Sequence, residues 1–206
     1  MALSDLTYTA LKQSVADFLD KSNLTAVIPD LIYLAETRLF RRLNLLDMED
    51  VDTGTFTAGT ATLDLPTGFR RTIALYINGT EHESFKIVSP DELFKSPLSA
   101  DSGVPLLAAV IGSQYHFGPV PDAAYSYVHH YAGSLQRLSS SQAQNALLQS
   151  APDVYLYASL LEAEPYIKND PRIPVWQGFL EEAIKDLKVE DEAKRWRGGP
   201  LIPRAA

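Results

Sequence analysis

Apolar residues recur at helical spacing near the start of the chain. Tyr8, Leu11, Val15, Phe18 and Leu19 mark one face of a helix over about Leu3 to Leu19, which Ser22-Asn23 breaks. A second series, Ile28, Leu31, Ile32, Ala35, Leu39 and Leu43, predicts a helix over about Ala26 to Leu43. Pro29 is tolerated there because it falls in the first turn. Glu36, Arg38, Arg41 and Arg42 are assigned to the opposite, solvated face. From Met48 the period changes to that of a strand. Thr53 to Thr62 is β-branched and punctuated by glycine, and Ala61 to Leu65 reads as a strand stopped by Pro66. Arg70 to Ile77 alternates, with Ile73, Leu75 and Ile77 on one side. Asn78-Gly79 then signals a two-residue hairpin whose return strand is Thr80 to Val88. Ser89, Pro90 and Glu92 carry a helix cap, a first-position proline and a capping box. Further strands are expected at Leu106 to Ile111, Gln114 to Phe117 and Tyr125 to Tyr131, the first two joined by Gly112-Ser113.

After Gly133 the helical period returns. Pro152 to Ile167 is apolar on nearly every side, which predicts one helix covered all round, with Tyr157 and Leu161 buried by different layers. Pro171-Arg172-Ile173-Pro174 makes a stiff link to a last helix from Pro174 to about Trp196, roughly 33 Å long. Its first half is amphipathic through Val175, Trp176, Phe179, Leu180, Ala183, Ile184 and Leu187; its second half is nearly all charge. The tail from Gly198 to Arg204 cannot be helical. The pattern is that of an α+β protein: residues 1–46 and 134–197 form a helical bundle, 47–133 a block of short, mostly antiparallel strands, and 198–206 an extended tail.

Length makes this architecture self-sufficient. A chain of 206 residues exposes roughly 9,500 Å² when folded against roughly 33,000 Å² unfolded, enough burial for a core without staples. Cysteine is absent, which excludes thiolate catalysis, zinc fingers, iron–sulfur clusters and disulfide-built modules. No apolar run approaches the length of a membrane span, and Met1-Ala2-Leu3-Ser4-Asp5 lacks the pattern of a signal peptide, so a soluble protein is expected. The net charge of −8 argues against a free-standing nucleic-acid binder. The charge is also uneven. Glu181, Glu182, Asp186, Glu190, Asp191 and Glu192 form an acidic run, followed from Lys194 by Arg195, Arg197 and Arg204 with no acid among them.

Enzyme templates are missing. The chain has no G-x-S-x-G elbow, H-E-x-x-H, P-loop or G-x-G-x-x-G after a strand. Of the histidines, His129 and His130 point to opposite faces of a strand, and a two-residue turn places His82 opposite Leu75 on an apolar face. Tyr125, Tyr127, His129 and Tyr131 share a strand face that suits packing or an interface better than base stacking, since Lys and Arg are absent nearby. An alternative function is a small carboxylate-metal nuclease using Asp47, Glu49, Asp50 and Asp52, with Asp50 and Asp52 on one face. A charged guard on an edge strand explains the same residues.

Four ordered stretches carry a resemblance. They are Ile28-Pro29-Asp30-Leu31-Ile32-Tyr33-Leu34-Ala35-Glu36 with Arg38 to Asn44; Leu63-Asp64-Leu65-Pro66 before Phe69-Arg70; and Gly103-Val104-Pro105 leading to Phe117-Gly118-Pro119-Val120-Pro121-Asp122 and the strand ending at Tyr131. The fourth runs from Asn145 through Pro152 to Ala163, Tyr166 to Asp170 and Trp176. Over about residues 5 to 190 the chain resembles the adaptor, or head-to-tail connector, proteins of short-tailed bacteriophages. It departs at Gly68, where an acid is expected, and at His130, where an aromatic is expected; the tail after Arg197 lies outside the resemblance.

The resemblance implies a structural virion protein without catalysis, metal or cofactor, assembled in the host cytoplasm. Such adaptors form a ring, usually twelve-fold, beneath the portal protein. The ring extends the DNA channel, receives tail nozzle or tail tube proteins, and lets double-stranded DNA pass without sequence-specific binding; no membrane is involved. On that expectation Glu181, Glu182, Asp186, Glu190 and Asp191 face the channel, and Tyr125, Tyr127, Tyr131 and Tyr157 contribute to subunit interfaces. Arg195, Trp196, Arg197, Leu201, Ile202 and Arg204 contact the portal or a neighbouring subunit, because the charge switches sign at Lys194 and Trp and Arg are common interface anchors.

Overall fold

The computed structural model describes residues 5–79, 84–168 and 170–196. It divides into two compact units, Met1–Asp47 with Leu135–Ala206, and Met48–Ser134. The α-helices among the described residues are α1 (Tyr8–Leu19), α2 (Ile28–Arg42), α3 (Pro90–Lys95), α4 (Ala146–Ser150), α5 (Pro152–Glu162), α6 (Glu164–Ile167) and α7 (Ile173–Trp196). The strands are β1 (Glu49–Thr55), β2 (Thr62–Asp64), β3 (Phe69–Ile77), β4 (Lys86–Ile87), β5 (Ser102–Gly103), β6 (Leu107–Ile111), β7 (Gln114–Gly118), β8 (Val120–Pro121) and β9 (Ser126–Gly133). The class is α+β.

In the helical unit, α5 is the central element. Val154, Tyr155, Leu156, Ala158, Ser159 and Leu160 are all buried, and the helix packs against α1, α2, α4 and α7. Helix α1 begins at Tyr8, later than periodicity suggested, because the Thr7 hydroxyl accepts from the Ala10 N–H and caps it there. It ends where Asp20 turns left-handed at φ 51° and its N–H returns to the Ala16 carbonyl. Arg172 closes that end from outside: its guanidinium donates to the Phe18 carbonyl at 2.9 Å, grips the Asp170 carboxylate and lies over the Trp176 ring. The hydrogen bonds from Arg172 hold the Asp170 carboxyl at about 2.

The single helix expected over Pro152–Ile167 is two. Pro165 has no N–H to give and its ring would clash with the Leu161 carbonyl, so α5 stops at Glu162 and α6 restarts with Pro165 in its first turn. Tyr157 and Leu161, expected to be buried, are half-buried, while Tyr155 and Leu160 fill the core. Helix α7 runs 24 residues, about 36 Å, as one piece.

The strand unit has a three-stranded antiparallel sheet ordered β1-β9-β3, a four-stranded sheet ordered β2-β7-β6-β4, and the short pair β5-β8. Leu75, Ile77 and Tyr127 of the first sheet meet Ala108, Tyr115 and Phe117 of the second, with Phe56 and Phe85 completing the cluster. The Phe56 ring lies 4.9 Å from Phe117 and 5.0 Å from Tyr127, centroid to centroid. Strand β6 is covered on both faces, Ala108 by that cluster and Ala109 by Val88 and Leu93 of the α3 region, which is why both positions are small.

Three local expectations change. First, Ile73 does not line the core with Leu75 and Ile77. Thr72 pairs with Tyr131 and Ala74 with His130, so Ile73 is the extra residue of a bulge and is exposed. Second, a two-residue turn at Asn78-Gly79 requires Tyr76 opposite Glu81, but Tyr76 pairs with Ser84. The connection is therefore longer; Thr80, Glu81, His82 and Glu83 lie outside the described residues. Third, the return strand leaves after Phe85 donates to the Leu75 carbonyl, and Lys86–Ile87 pairs in parallel with β6. The other hairpin follows expectation: Ile111 faces Gln114 across Gly112, whose φ of +62° provides the positive-φ first position of the turn. Ser89 caps α3 at the Glu92 N–H, while the Glu92 carboxylate turns to Lys86.

The packing around α5 sets a stability expectation. Leu160→Ala should cost about 2–5 kcal/mol, because the side chain is fully buried, and half-buried Leu161→Ala should cost clearly less. Urea denaturation of the two variants beside the wild type measures the difference.

Candidate interaction surfaces

Two carboxylates that pattern placed on solvated faces are buried. Glu36 is 1% exposed. Its Oε1 accepts from the Leu138 N–H at 2.8 Å and from the Tyr155 hydroxyl at 3.1 Å, and its Oε2 lies 3.6 Å from the Arg137 guanidinium. Burial pushes the carboxyl above its usual range, and those partners draw it back in part. Arg137 lies over the Tyr33 ring at 4.1 Å, and Asn145 donates to Tyr155 and to the Gln136 carbonyl while capping α4 at Leu148. This network fastens the irregular stretch 135–145 to α2 and α5.

Asp191, expected on the channel, is 7% exposed. Its Oδ1 accepts from the Leu46 N–H at 2.6 Å and its Oδ2 from Arg195 at 3.0 Å. That removes it from the channel-facing acids, because both oxygens are committed within the chain. Arg195 is likewise committed to Asp191, so it is not simply a free contact residue at the head of the tail. Both buried acids have a sequence signature. Glu36 is Ile32 plus four and Phe40 minus four; Asp191 is Leu187 plus four and continues the buried row of Trp176, Leu180, Ile184 and Leu187.

The remaining acids of α7 do face outward. Glu181 pairs with Arg42 through both carboxylate oxygens, Glu190 pairs with Lys194 at 3.1 Å, and Glu182 and Asp186 are exposed without an ion-pair partner among the described residues. Opposite the buried row runs a second stripe, Val175, Phe179, Glu182, Asp186, Val189, Ala193 and Trp196, spaced by alternating steps of four and three and exposed throughout. Val189 is 60% and Trp196 76% exposed. Phe179 stacks on half-buried Tyr157 at 5.3 Å. Arg197, Leu201, Ile202 and Arg204 lie outside the described residues.

In the strand unit, Tyr127 and Tyr131, expected at a subunit interface, are buried in the unit's own core, so their rings have little surface left for another chain. Their hydroxyls donate to Asp52 at 3.1 Å and Asp50 at 3.4 Å, and burial beside Asp52 pushes the Tyr127 hydroxyl up to about 12. Tyr125 is half-buried and donates to Asp122 at 2.6 Å. The Tyr127 ring crosses Gly54 so closely that a Cβ there would meet it at 2.6–2.9 Å. Asp50 and Asp52 do share a face, but each serves a tyrosine, and no group of three or more His, Asp or Glu among the described residues is placed to hold a metal. His129, opposite Asp52, is fully buried; its Nε2 shares a hydrogen bond of 2.9 Å with the Tyr115 hydroxyl, and its Nδ1 has no hydrogen-bond partner among the described residues. No helix among the described residues is long and apolar enough to cross a membrane.

A family model described as SU10 adaptor protein matches residues 6–204 of the chain. The match includes the tail beyond Arg197, which the resemblance read from the sequence had left out. No curated protein matches.

Two measurements test this geometry. Asp191→Ala should destabilise the fold by about 1–3 kcal/mol by leaving the Leu46 N–H unsatisfied, whereas Glu182→Ala should stay within about 0.5 kcal/mol of wild type; thermal unfolding of both variants checks the contrast. Burial holds the His129 imidazole below its ordinary 6.5. The unfolded chain therefore binds a proton before the folded one does, so stability is full above about pH 6.5 and is lost as the pH falls from there towards the folded value. His129→Gln should flatten that decline. The difference between the two pH–stability curves isolates His129 from Glu36, whose raised carboxyl acts in the opposite sense.

Proposed function

The chain belongs to the SU10 adaptor protein family, and on that premise we propose that it forms the ring connecting a bacteriophage head to its tail. It is a phage adaptor, a structural component of the virion. In the proposed assembly, copies of the chain, usually twelve in such adaptors, ring the DNA channel beneath the portal protein. Tail nozzle or tail tube proteins dock below, and the genome passes through on ejection. The observation that carries this reading is a family match running through both structural units, from residue 6 to residue 204.

The surface chemistry supports it. Double-stranded DNA in a channel must not adhere, and lysine or arginine on the wall would bind each phosphate in turn. Glu182, Asp186 and Glu190 are the acids proposed for the channel or its rim, with Glu181 partly neutralised by Arg42. Tyr125 and Tyr157, the half-buried members of the tyrosine set, are the proposed subunit contacts. The proposed portal or neighbour contact is Trp196 with Arg197, Leu201, Ile202 and Arg204, beginning one residue after Arg195, which pairs with Asp191 within α7.

The free chain should be monomeric or weakly associating and should gain a ring only on purified portal, as seen by light scattering and electron microscopy of the mixture. A chain ending at Arg197 should keep its melting temperature and bind portal at least tenfold more weakly, a change of about 1.4 kcal/mol. A tight dimer indifferent to portal, or a lumen lined by lysine and arginine, would contradict the proposal.

A further inference from the structure

Helix α7 carries opposite charge on its two flanks. Measured around the helix from the centre of the buried row, Lys185 and Lys188 stand about 80–140° to one side, and Asp186 and Glu190 about 80–120° to the other. Each flank borders a groove of the helical unit. The groove on the lysine side, about 280 Å³, sets Arg42, Lys185 and Lys188 against Glu181 and Glu192. Arg42 and Glu181 neutralise each other, and neither Lys185 nor Lys188 forms an ion pair among the described residues. The groove on the other side is about 180 Å³. There Asp153 of α5 joins Asp186 and Glu190, and no Lys or Arg lines it among the described residues. Glu190 pairs with Lys194, whereas Asp153 and Asp186 are exposed without an ion-pair partner among the described residues.

The flanks match in height as well as in sign. Lys185 and Asp186 differ by about 1.5 Å along the helix, and Lys188 and Glu190 by about 3 Å. Rotation about an axis parallel to α7 moves a copy sideways without raising it. It therefore brings the lysine flank of one copy level with the acidic flank of the next. A contact between two different faces is heterologous, and repeated by such a rotation it closes into a ring. An isologous contact would instead set the lysines against themselves, or the acids against themselves, and like charges in juxtaposition repel.

We infer that each flank of α7 is occupied by a second copy of this chain, with Lys185 and Lys188 of one copy seated against Asp153, Asp186 and Glu190 of the next and α7 standing along the ring axis. The inference rests on the proposed ring and names the joint between its members. Asp186 and Glu190 lie at or beside the outer stripe, so the joint runs along the rim of the channel wall. Val189, which lines the lysine groove and is exposed in the single chain, is covered there. Seating the two lysines in the joint also withdraws their charge from passing DNA, whose phosphates would otherwise hold to them.

Two charge-reversed full-length chains test the joint. One carries Lys185→Glu with Lys188→Glu, the other Asp153→Lys with Asp186→Lys, all at exposed positions. Each should keep the wild-type melting temperature and, alone, form no ring on purified portal, because both of its flanks then carry one sign. Their equimolar mixture should restore the ring, with the two variants present in equal numbers by native mass spectrometry. The absence of cysteine gives a second readout that needs no portal. Chains bearing Val189→Cys and Glu190→Cys are mixed at high concentration and joined with a short bismaleimide. The mixed product should exceed either homodimer at least about tenfold, and high salt should reduce that excess. A ring formed by either reversed chain alone would overturn the inference, as would a mixture of folded variants that forms none where the wild type does. Homodimers as abundant as the mixed product would overturn it too, since like flanks would then be meeting. A strong excess of the mixed product, with no ring on portal even from the wild type, would sustain the joint and overturn the reading that places a ring beneath the portal.

Discussion

A carboxylate taken out of water is costly unless its oxygens find donors, and in the helical unit this requirement organises the parts of the chain that are not helix. Glu36 sits in the middle of an apolar row and Asp191 at the end of one, and each takes one main-chain N–H from outside its helix and one arginine, with the Tyr155 hydroxyl as a further donor to Glu36. The two stretches so held are those around Leu46 and Leu138, by which the chain leaves the helical unit and comes back to it. Their backbones thus have fixed partners where neither helix nor sheet supplies any. Hydrophobic packing around α5 gives the unit its core, and the two buried acids determine how the connecting chain must lie against it.

The strand unit meets a similar demand with aromatic rings. Tyr127 and Tyr131 keep their rings in the core and deliver their hydroxyls to Asp52 and Asp50, so the acidic strand β1 is tied to β9 by side chains as well as by its ladder. Gly54 is part of this arrangement: the ring passes where a side chain would stand, and any larger residue there forces Tyr127 to move. His129 remains the costly member, buried with one nitrogen unsatisfied among the described residues.

How far the sequence anticipates this depends on the range of the interactions involved. Helix faces are set by spacing along a few turns, so the inward rows of α1, α2 and α7 were legible, as were the Ser89 cap and the Gly112 turn, which involve neighbours only. Glu36 and Asp191 continue apolar rows, but a carboxylate at such a position reads as solvated until its donors are known, and those donors, Leu138 and Leu46, lie more than a hundred residues away. The break before α6 was local and readable from Pro165. The bulge at Ile73 and the parallel pairing of Lys86–Ile87 with β6 were not readable, since both are set by a partner strand that alternation within a single strand does not encode. Of the surfaces, exposure on α7 follows from its periodicity, whereas the burial of Tyr127 depends on a second sheet packing over it and that of Tyr131 on Phe69 and His129 beside it.

The continuity of α7 has a mechanical meaning. A load applied at Trp196 enters a single helix, and a side-chain tie near that end is the Asp191 carboxylate, one turn from Arg195, which it holds, and bonded to the Leu46 backbone. Tension from that end is therefore passed to the stretch around Leu46 before it reaches Leu187, Ile184, Leu180 and Trp176, whose contacts must then slide together rather than peel apart singly. A strut of this kind resists a pull through many contacts acting in parallel.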